Sequence, residues 1–219
     1  MNLGYIPPLV CFWHTISSQI AKYKDAAMTN NIVSFIHCIL FLSHYNYDYN
    51  LDYAVHMSIG FYIHDLFYIF SCLYQNPIKD EVNRHTPFII HHLAGMYILI
   101  ATLTGESKEH ILPAYKILEK SNIMLYVSYY LHKRYGQYGN LITVCDFIQL
   151  LSYSYFRLFD FALYIYNNRR PFFQFKFMTQ FLIIGIYCMG VVWSHRLLQK
   201  NIKNIKNIKN NYTIKGPRE

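Results

Sequence analysis

Apolar stretches approaching the roughly 20 residues that a membrane helix requires recur along the whole chain. Apolar runs and the polar breaks between them place spans at 3–20, 31–45, 54–73, 88–104, 112–131, 141–165 and 173–195. The first is diluted by His14, Ser17, Ser18 and Gln19, and the second is short, so the last five are the clearer segments. The breaks are brief and carry turn residues: Asn76-Pro77, Thr86-Pro87, Gly105, the stretch 136–140 and Pro171. Nothing resembles a linker between domains. The pattern predicts an all-α fold, a polytopic membrane helix bundle of about six or seven transmembrane helices over 1–200, followed by a basic low-complexity tail at 201–219.

Polar residues interrupt these spans at regular spacing. Ser58, Tyr62 and Asp65 share one face of the third span, with His64 about 100° round the helix. The fourth opens with His91-His92, four residues after Pro87, which is expected in the first helical turn. Adjacent histidines diverge by about 100°, so they can flank a cleft but cannot chelate as an i, i+4 pair does, and no metal is expected here. Gly95, one turn beyond His91, leaves room for a neighbouring helix or a ligand chain. In the sixth span Asp146, Gln149, Tyr153, Arg157 and Asp160 form one stripe, which predicts a helix facing inward along its length. Glu119, Asn122 and Tyr126 make a shorter stripe in the fifth, and a Glu119–Arg157 ion pair is the plain structural expectation. The mixed signs of the sixth-span stripe argue against an ion pore.

Ionisable residues in hydrocarbon are expensive, so each marks a protein interior, a watery cavity or a site. From the rise per residue, His37 lies ~9 Å, His91 and His92 ~6 Å, Asp65 ~12 Å and Asp146 ~8 Å from the cytosolic ends of their expected helices. Four helices would then bring ionisable groups to one half of the bundle. An imidazole beside a carboxylate is a standard means of deprotonating an amine or hydroxyl at neutral pH. Gly-rich phosphate loops, HExxH, GxSxG and paired CxxC motifs are absent from the sequence. His64 and His195 read as packing residues.

Composition changes this picture in two places. Only 15% of residues are charged against 53% hydrophobic, which disfavours a water-facing globule. Mean hydropathy is a modest +0.11, because hydropathy scales penalise tyrosine and the chain has 22 of them. The net charge of +8 would raise the question of nucleic acid, but residues from Arg196 onward hold seven Lys/Arg and one Glu, or six of the eight charges. A cationic tail on a nearly neutral apolar body reads as a juxtamembrane anchor, so no nucleic acid is expected as partner. Counted by side, Lys22, Lys24, Lys79, Arg84, Lys133, Arg134 and the tail stand against Lys108, Lys116, Arg169, Arg170 and Lys176, which predicts a cytosolic tail. Its Asn-Ile-Lys repeats over 201–209 read as a disordered, lipid-attracted segment rather than a folded helix. The five cysteines lie in apolar stretches and read as small buried hydrophobes. No leader with a cleavage site is evident at the N-terminus, so the first stretch is expected to remain in the mature chain.

Several segments, in order, resemble the TLC domain: Asn31-Ile-Val-Ser-Phe-Ile-His37, Ser58-Ile-Gly-Phe-Tyr-Ile-His-Asp65, His91-His-Leu-Ala-Gly95, Glu119-Lys-Ser-Asn122, Tyr155-Phe-Arg157 and Trp193. That family groups translocating chain-associated membrane proteins, longevity-assurance ceramide synthases and the neuronal ceroid lipofuscinosis cargo protein. The resemblance covers roughly residues 10–200. It implies an all-helical membrane protein of five to seven spans, usually of the endoplasmic reticulum. In ceramide synthases the paired histidines carry acyl transfer from acyl-CoA to a sphingoid base. By that resemblance His91 and His92 would be base and orienting partner and Asp65 their support; from shared faces and depth, Ser58, Tyr62, His37, Asp146 and Gly95 are expected as the substrate-binding surround. Ceramide synthases follow the pair with further carboxylates, where this chain reads Thr104-Gly-Glu-Ser-Lys-Glu-His-Ile-Leu-Pro113. The chain is therefore closer to the small TLC-domain proteins, whose roles concern membrane lipid composition.

The expected function is action on membrane lipids, through acyl transfer from acyl-CoA to a lipid amine or hydroxyl. No bound cofactor is expected, and acyl-CoA would be a co-substrate. The alternative is a non-enzymatic lipid sensor, cargo or translocation partner whose buried His and Asp hold helices together. A lipid-sized tunnel ending at the histidines would favour the first, a closed polar knot the second.

Overall fold

The computed structural model of the chain describes residues 3–47, 50–75, 79–105, 108–135 and 140–214. After a 3-10 turn at Leu3–Tyr5 come α1 (Ile6–Ala21), α2 (Ala26–Asn46), α3 (Leu51–Gln75), α4 (Lys79–Leu103) and α5 (Lys108–Tyr135). Then α6 (Asn140–Ser154) runs through a π-helical turn (Tyr155–Asp160) into α7 (Phe161–Asn167), and α8 (Arg169–Gln174) leads to α9 (Phe177–Ile214). With α6, the π turn and α7 forming one rod, the described residues make seven long rods, matching the seven expected spans. The expected breaks at Asn76-Pro77 and 136–139 lie outside the described residues.

Local signals fix several ends. Asp25 caps α2 by accepting from the Met28 N–H at 2.8 Å. Prolines occupy the first positions of α1, where their missing N–H costs nothing. Gly105, with φ +109°, ends α4 in the left-handed region where other residues are strained.

Pro87 does not open α4. The helix begins at Lys79 and Pro87 lies inside it. An interior proline leaves the carbonyl four residues earlier, that of Asn83, without its helical donor. Here that carbonyl precedes the apolar stretch His85–Leu103, close to the polar boundary, where the loss is more easily borne.

Among the described residues, three helical segments are long and apolar enough to cross a membrane: Ala26–Asn46, His85–Leu103 and Phe177–Lys206. The second segment, expected to be weak, is among them. The remaining rods fall short because they carry the polar residues of the interior, such as His56, Ser58, His64 and Asp65 on α3 and Glu119 and Ser121 on α5, all buried. Outward-facing residues are apolar: Phe67, Phe70, Ile90, Leu93, Phe147, Leu151, Phe181 and Ile184 are exposed. Such a belt suits lipid as its solvent. It also corrects the reading of the cysteines: Cys38 is buried, but Cys11 and Cys188 are exposed, because an apolar position in a membrane bundle can face lipid as readily as core. All five are free thiols.

Contacts close the helices into a ring, α2–α5–α6–α9–α4–α3 and back to α2, with α1 outside against α3 and α2. Trp13 anchors α1: it is fully buried and its indole N–H donates to the Met57 carbonyl at 3.0 Å. Gly60 allows the approach, since a Cβ there would fall 2.9 Å from Leu9 Cβ. Two apolar clusters fill the ring. One joins α1, α2 and α3 through Trp13, Val33, Phe41, Val55 and Phe61, and the other joins α4, α5, α7 and α9 through Ile98, Ile111, Phe161 and Ile183. The candidate site lies between them.

Two further expectations are revised. On the α6 rod the buried positions run Asp146, Gln149, Tyr153 and Arg157, then pass to Phe161 instead of Asp160. A π turn winds wider than an α turn, so the inward stripe gains a residue and Asp160 rotates off it. The segment from residue 201, expected to be disordered, continues α9 as helix to Ile214. Its first turn is tied down by side-chain hydrogen bonds to α6, described below.

Candidate functional site

α3 and α4 supply most of the predicted residues. His92 Nε2 is paired with the Asp65 carboxylate Oδ2, both buried. Tyr62 lies one turn before Asp65, and its ring stacks on His92 with centroids 4.9 Å apart. The Tyr62 hydroxyl shares a 2.7 Å hydrogen bond with that of Tyr115 on α5. Gly95 makes this placement possible: a Cβ there would stand 2.9 Å from Tyr62 Cε2. From α2, His37 Nε2 bonds the Ser58 hydroxyl at 2.9 Å, and its ring stacks on Phe61 at 4.1 Å and 7°. The structure thus joins His37, Ser58, Tyr62, Asp65, His92 and Gly95 in one buried network.

His91 diverges from His92 as adjacent helical residues must. Its ring lies edge-on to Trp193 of α9 at 5.9 Å, and no hydrogen bond joins the two imidazoles among the described residues. It opens instead onto a small cavity, about 490 Å³ of empty space once the open solvent at its mouth is counted. His92 and Asp65 do not line this cavity and stand behind Tyr62, which does.

The lining is graded. On α4 it passes from His91 through Gly95 to Ile98. On α5, which runs the other way, it passes from Asn122 through Glu119 to Ala114 and Ile111. On the α6 rod it passes from Arg157 to Phe161. All three walls therefore change from polar to apolar in one direction along the bundle. A second space of about 270 Å³ shares Ala114 and Ile183 and extends the apolar end toward His110, Tyr164 and Asn168.

Arg157 is the most buried charge at the polar end, at 1% exposure. Its Nε donates to Ser121 Oγ at 2.7 Å and its Nη2 to Asn122 Oδ1 at 3.1 Å, while its guanidinium lies over the Tyr153 ring. Gly190 on α9 gives its stem room, since a Cβ there would be 3.3 Å from Arg157 Cβ. The expected ion pair with Glu119 does not form: Ser121 and Asn122 occupy the near edge of the guanidinium. Glu119 Oε2, His91 Nδ1, His92 Nδ1 and Asp65 Oδ1 are all buried without a partner among the described residues. Buried polar atoms left unpaired are unusual and call for an explanation.

Asp146 is placed elsewhere. Its Oδ1 accepts from Ser128 at 2.7 Å, His132 at 2.8 Å and Lys200 at 3.0 Å, and its Oδ2 from Asn204 at 3.0 Å. Asn201 donates to its backbone carbonyl. This cluster ties the end of α5 and the start of α6 to the second half of α9, and among the described residues it shares no hydrogen bond with the His92 network. His64 packs near His14, and His195 is exposed beside Gln199. Among the described residues no group of three His, Cys, Asp or Glu side chains is arranged to hold a metal ion.

Sequence reading missed Tyr115, Ser121 and the α9 residues Lys200, Asn201 and Asn204. Tyr115 could have been found by extending the stripe of Glu119, Asn122 and Tyr126 one turn back. The tail residues could not, because low-complexity sequence carried no sign of a fixed partner.

Compared with known families, residues 9–200 match the model of the TLC domain. The chain belongs to the TLC-domain family. Among curated proteins and solved structures, none matches the chain. The TLC domain so defined spans every rod of the ring and ends at Lys200, where α9 meets Asp146. The family match and the apolar helices together make this an integral membrane protein.

Proposed function

We propose that this TLC-domain protein acts in membrane lipid metabolism, holding a lipid in the graded cavity with its headgroup at the polar end and its chain against Ile98, Ile111, Phe161 and Ile183. The supporting observation is the grading itself: three helical walls change from polar to apolar in the same direction, the profile of an amphiphile. The proposed reaction is acyl transfer from acyl-CoA to a lipid amine or hydroxyl. His91 is the base at the cavity, with His92 and Asp65 fixing the α4–α3 wall behind it. The acceptor's lone pair attacks the thioester carbonyl while His91 takes its proton; the C–S bond breaks and that proton passes to the departing CoA thiolate. We place the tail in the cytosol, where acyl-CoA is, and the protein in the endoplasmic reticulum among the small TLC-domain proteins.

The second reading, a non-enzymatic lipid holder, is favoured by the closure of the His92–Asp65 pair behind Tyr62. Purified protein given labelled acyl-CoA and a set of amine and hydroxyl lipids separates the two. Acyl transfer that is lost in His91→Ala while lipid still co-purifies supports catalysis. Lipid binding without transfer in the wild type supports the holder.

A further inference from the structure

The cavity is lined by two buried ionisable side chains of opposite type, Arg157 and Glu119, that form no ion pair with each other. Arg157 spends two of its five donors on the neutral acceptors Ser121 and Asn122, and no carboxylate among the described residues forms an ion pair with it. Glu119, 4% exposed, lines the same cavity with Oε2 unpartnered. Opposite charges in a low-dielectric interior ordinarily close on each other, because each alone is poorly solvated. Here Ser121 and Asn122 hold the guanidinium in place, and both side chains face a common space.

We infer that this cavity selects a zwitterionic lipid headgroup, with an oxyanion on the free donors of Arg157 and an ammonium on Glu119. The inference rests on the reading of the cavity as a lipid site and names the class of lipid. A purely anionic headgroup would satisfy Arg157 and be repelled by Glu119. A purely cationic one would do the reverse, and an uncharged one would leave both buried charges unmatched. Only a headgroup carrying both signs supplies each with a counter-charge and keeps the cavity neutral. Arg157 suits the oxyanion because its planar fork can present two parallel N–H donors to a phosphate or carboxylate. The π turn that carries it re-aims the rod at this level, as π turns often do at functional sites.

The test uses the purified full chain and four photoreactive lipids with identical acyl chains, each carrying the reactive group in the chain. Their headgroups are phosphoethanolamine, a phosphate monoester, a free amine and glycerol. The wild type is expected to be labelled on cavity residues about tenfold more by the phosphoethanolamine lipid than by any other, the scale of a charge-assisted hydrogen bond lost. Glu119→Gln leaves the cavity cationic and shifts the preference to the phosphate lipid. Arg157→Gln leaves it anionic and shifts the preference to the amine. If Arg157→Gln does not fold, the Glu119→Gln shift decides alone. Equal labelling of cavity residues by all four lipids, in wild type and variants, overturns the headgroup inference and leaves the lipid site standing. No cavity labelling by any lipid overturns the lipid reading itself.

Discussion

Where α5, α6 and α9 meet, the Asp146 carboxylate accepts from Ser128, His132, Lys200 and Asn204, and both its oxygens are filled. In the middle of the ring, Glu119 Oε2, His91 Nδ1, His92 Nδ1 and Asp65 Oδ1 are buried without partners among the described residues. Both clusters consist of the same residue types on neighbouring helices, so residue type alone does not separate them. Satisfaction does. A buried group with every lone pair filled contributes to holding helices, and a buried group left open retains the capacity to bind or to move a proton. By this criterion Asp146 belongs to a structural clasp, and the space at His91, Glu119 and Arg157 is where chemistry is to be sought.

Substitutions should split along the same line. The largest effect is expected for His91→Ala in acyl transfer: a loss of about 100- to 10,000-fold, the usual contribution of a general base, with little change in melting temperature. Labelled acyl-CoA turnover and a thermal melt in detergent read both quantities. A variant that melts early but turns over normally would move His91 to the structural side.

Asp146→Ala should do the opposite. Lys200, His132 and Asn204 lose their shared acceptor, and stability should fall by about 1–3 kcal/mol, the cost of leaving partly buried donors without their acceptor while the partly exposed Lys200 is rehydrated. Lipid bound per folded molecule, measured by mass spectrometry of the purified protein, should be unchanged. Loss of lipid at undiminished stability would show that the clasp is part of the site.

Gly95→Ala probes the boundary between the two kinds of cluster. The new methyl meets the Tyr62 ring, which must leave its stack on His92 and its bond to Tyr115. Overpacking of this sort costs about 1–3 kcal/mol, and lipid occupancy should fall with it. The smallest effect is expected for Ser128→Ala, which removes one of several donors to Asp146 and should cost about 1 kcal/mol in a thermal melt with no change in lipid. A larger loss than that of Asp146→Ala would contradict the clasp.

Much of the architecture is legible from the chain. The seven expected spans correspond to the seven rods among the described residues, because turn residues at the breaks mark the helices even where polar interior residues dilute their apolar runs. Ser58, Tyr62, Asp65 and His92 meet as helical spacing and the family resemblance imply. What fails is depth. Arg157, not Asp146, lines the cavity with His91, and Asp146 lies eleven residues earlier on the same rod, ~16 Å away along the bundle, level with Ser128, His132 and Lys200. The exchange of Asp160 for Phe161 depends on a π turn that no spacing rule anticipates. Pro87 reads as a helix start, yet the helix continues ahead of it near the polar boundary. The helical extension of α9 rests on Asn201 and Asn204 finding Asp146, a contact between residues more than 50 apart in sequence.

The central claim is that the open cluster holds an amphiphile in one orientation. It is tested most directly by mapping photocrosslinks from two versions of one phospholipid, with the reactive group near the headgroup in one and at the chain end in the other. Headgroup crosslinks are expected at Tyr62 or Asn122 and chain-end crosslinks at Ala114, Phe161 or Ile183. Crosslinks confined to the outer belt, at residues such as Phe67, Leu151 and Phe181, would contradict it.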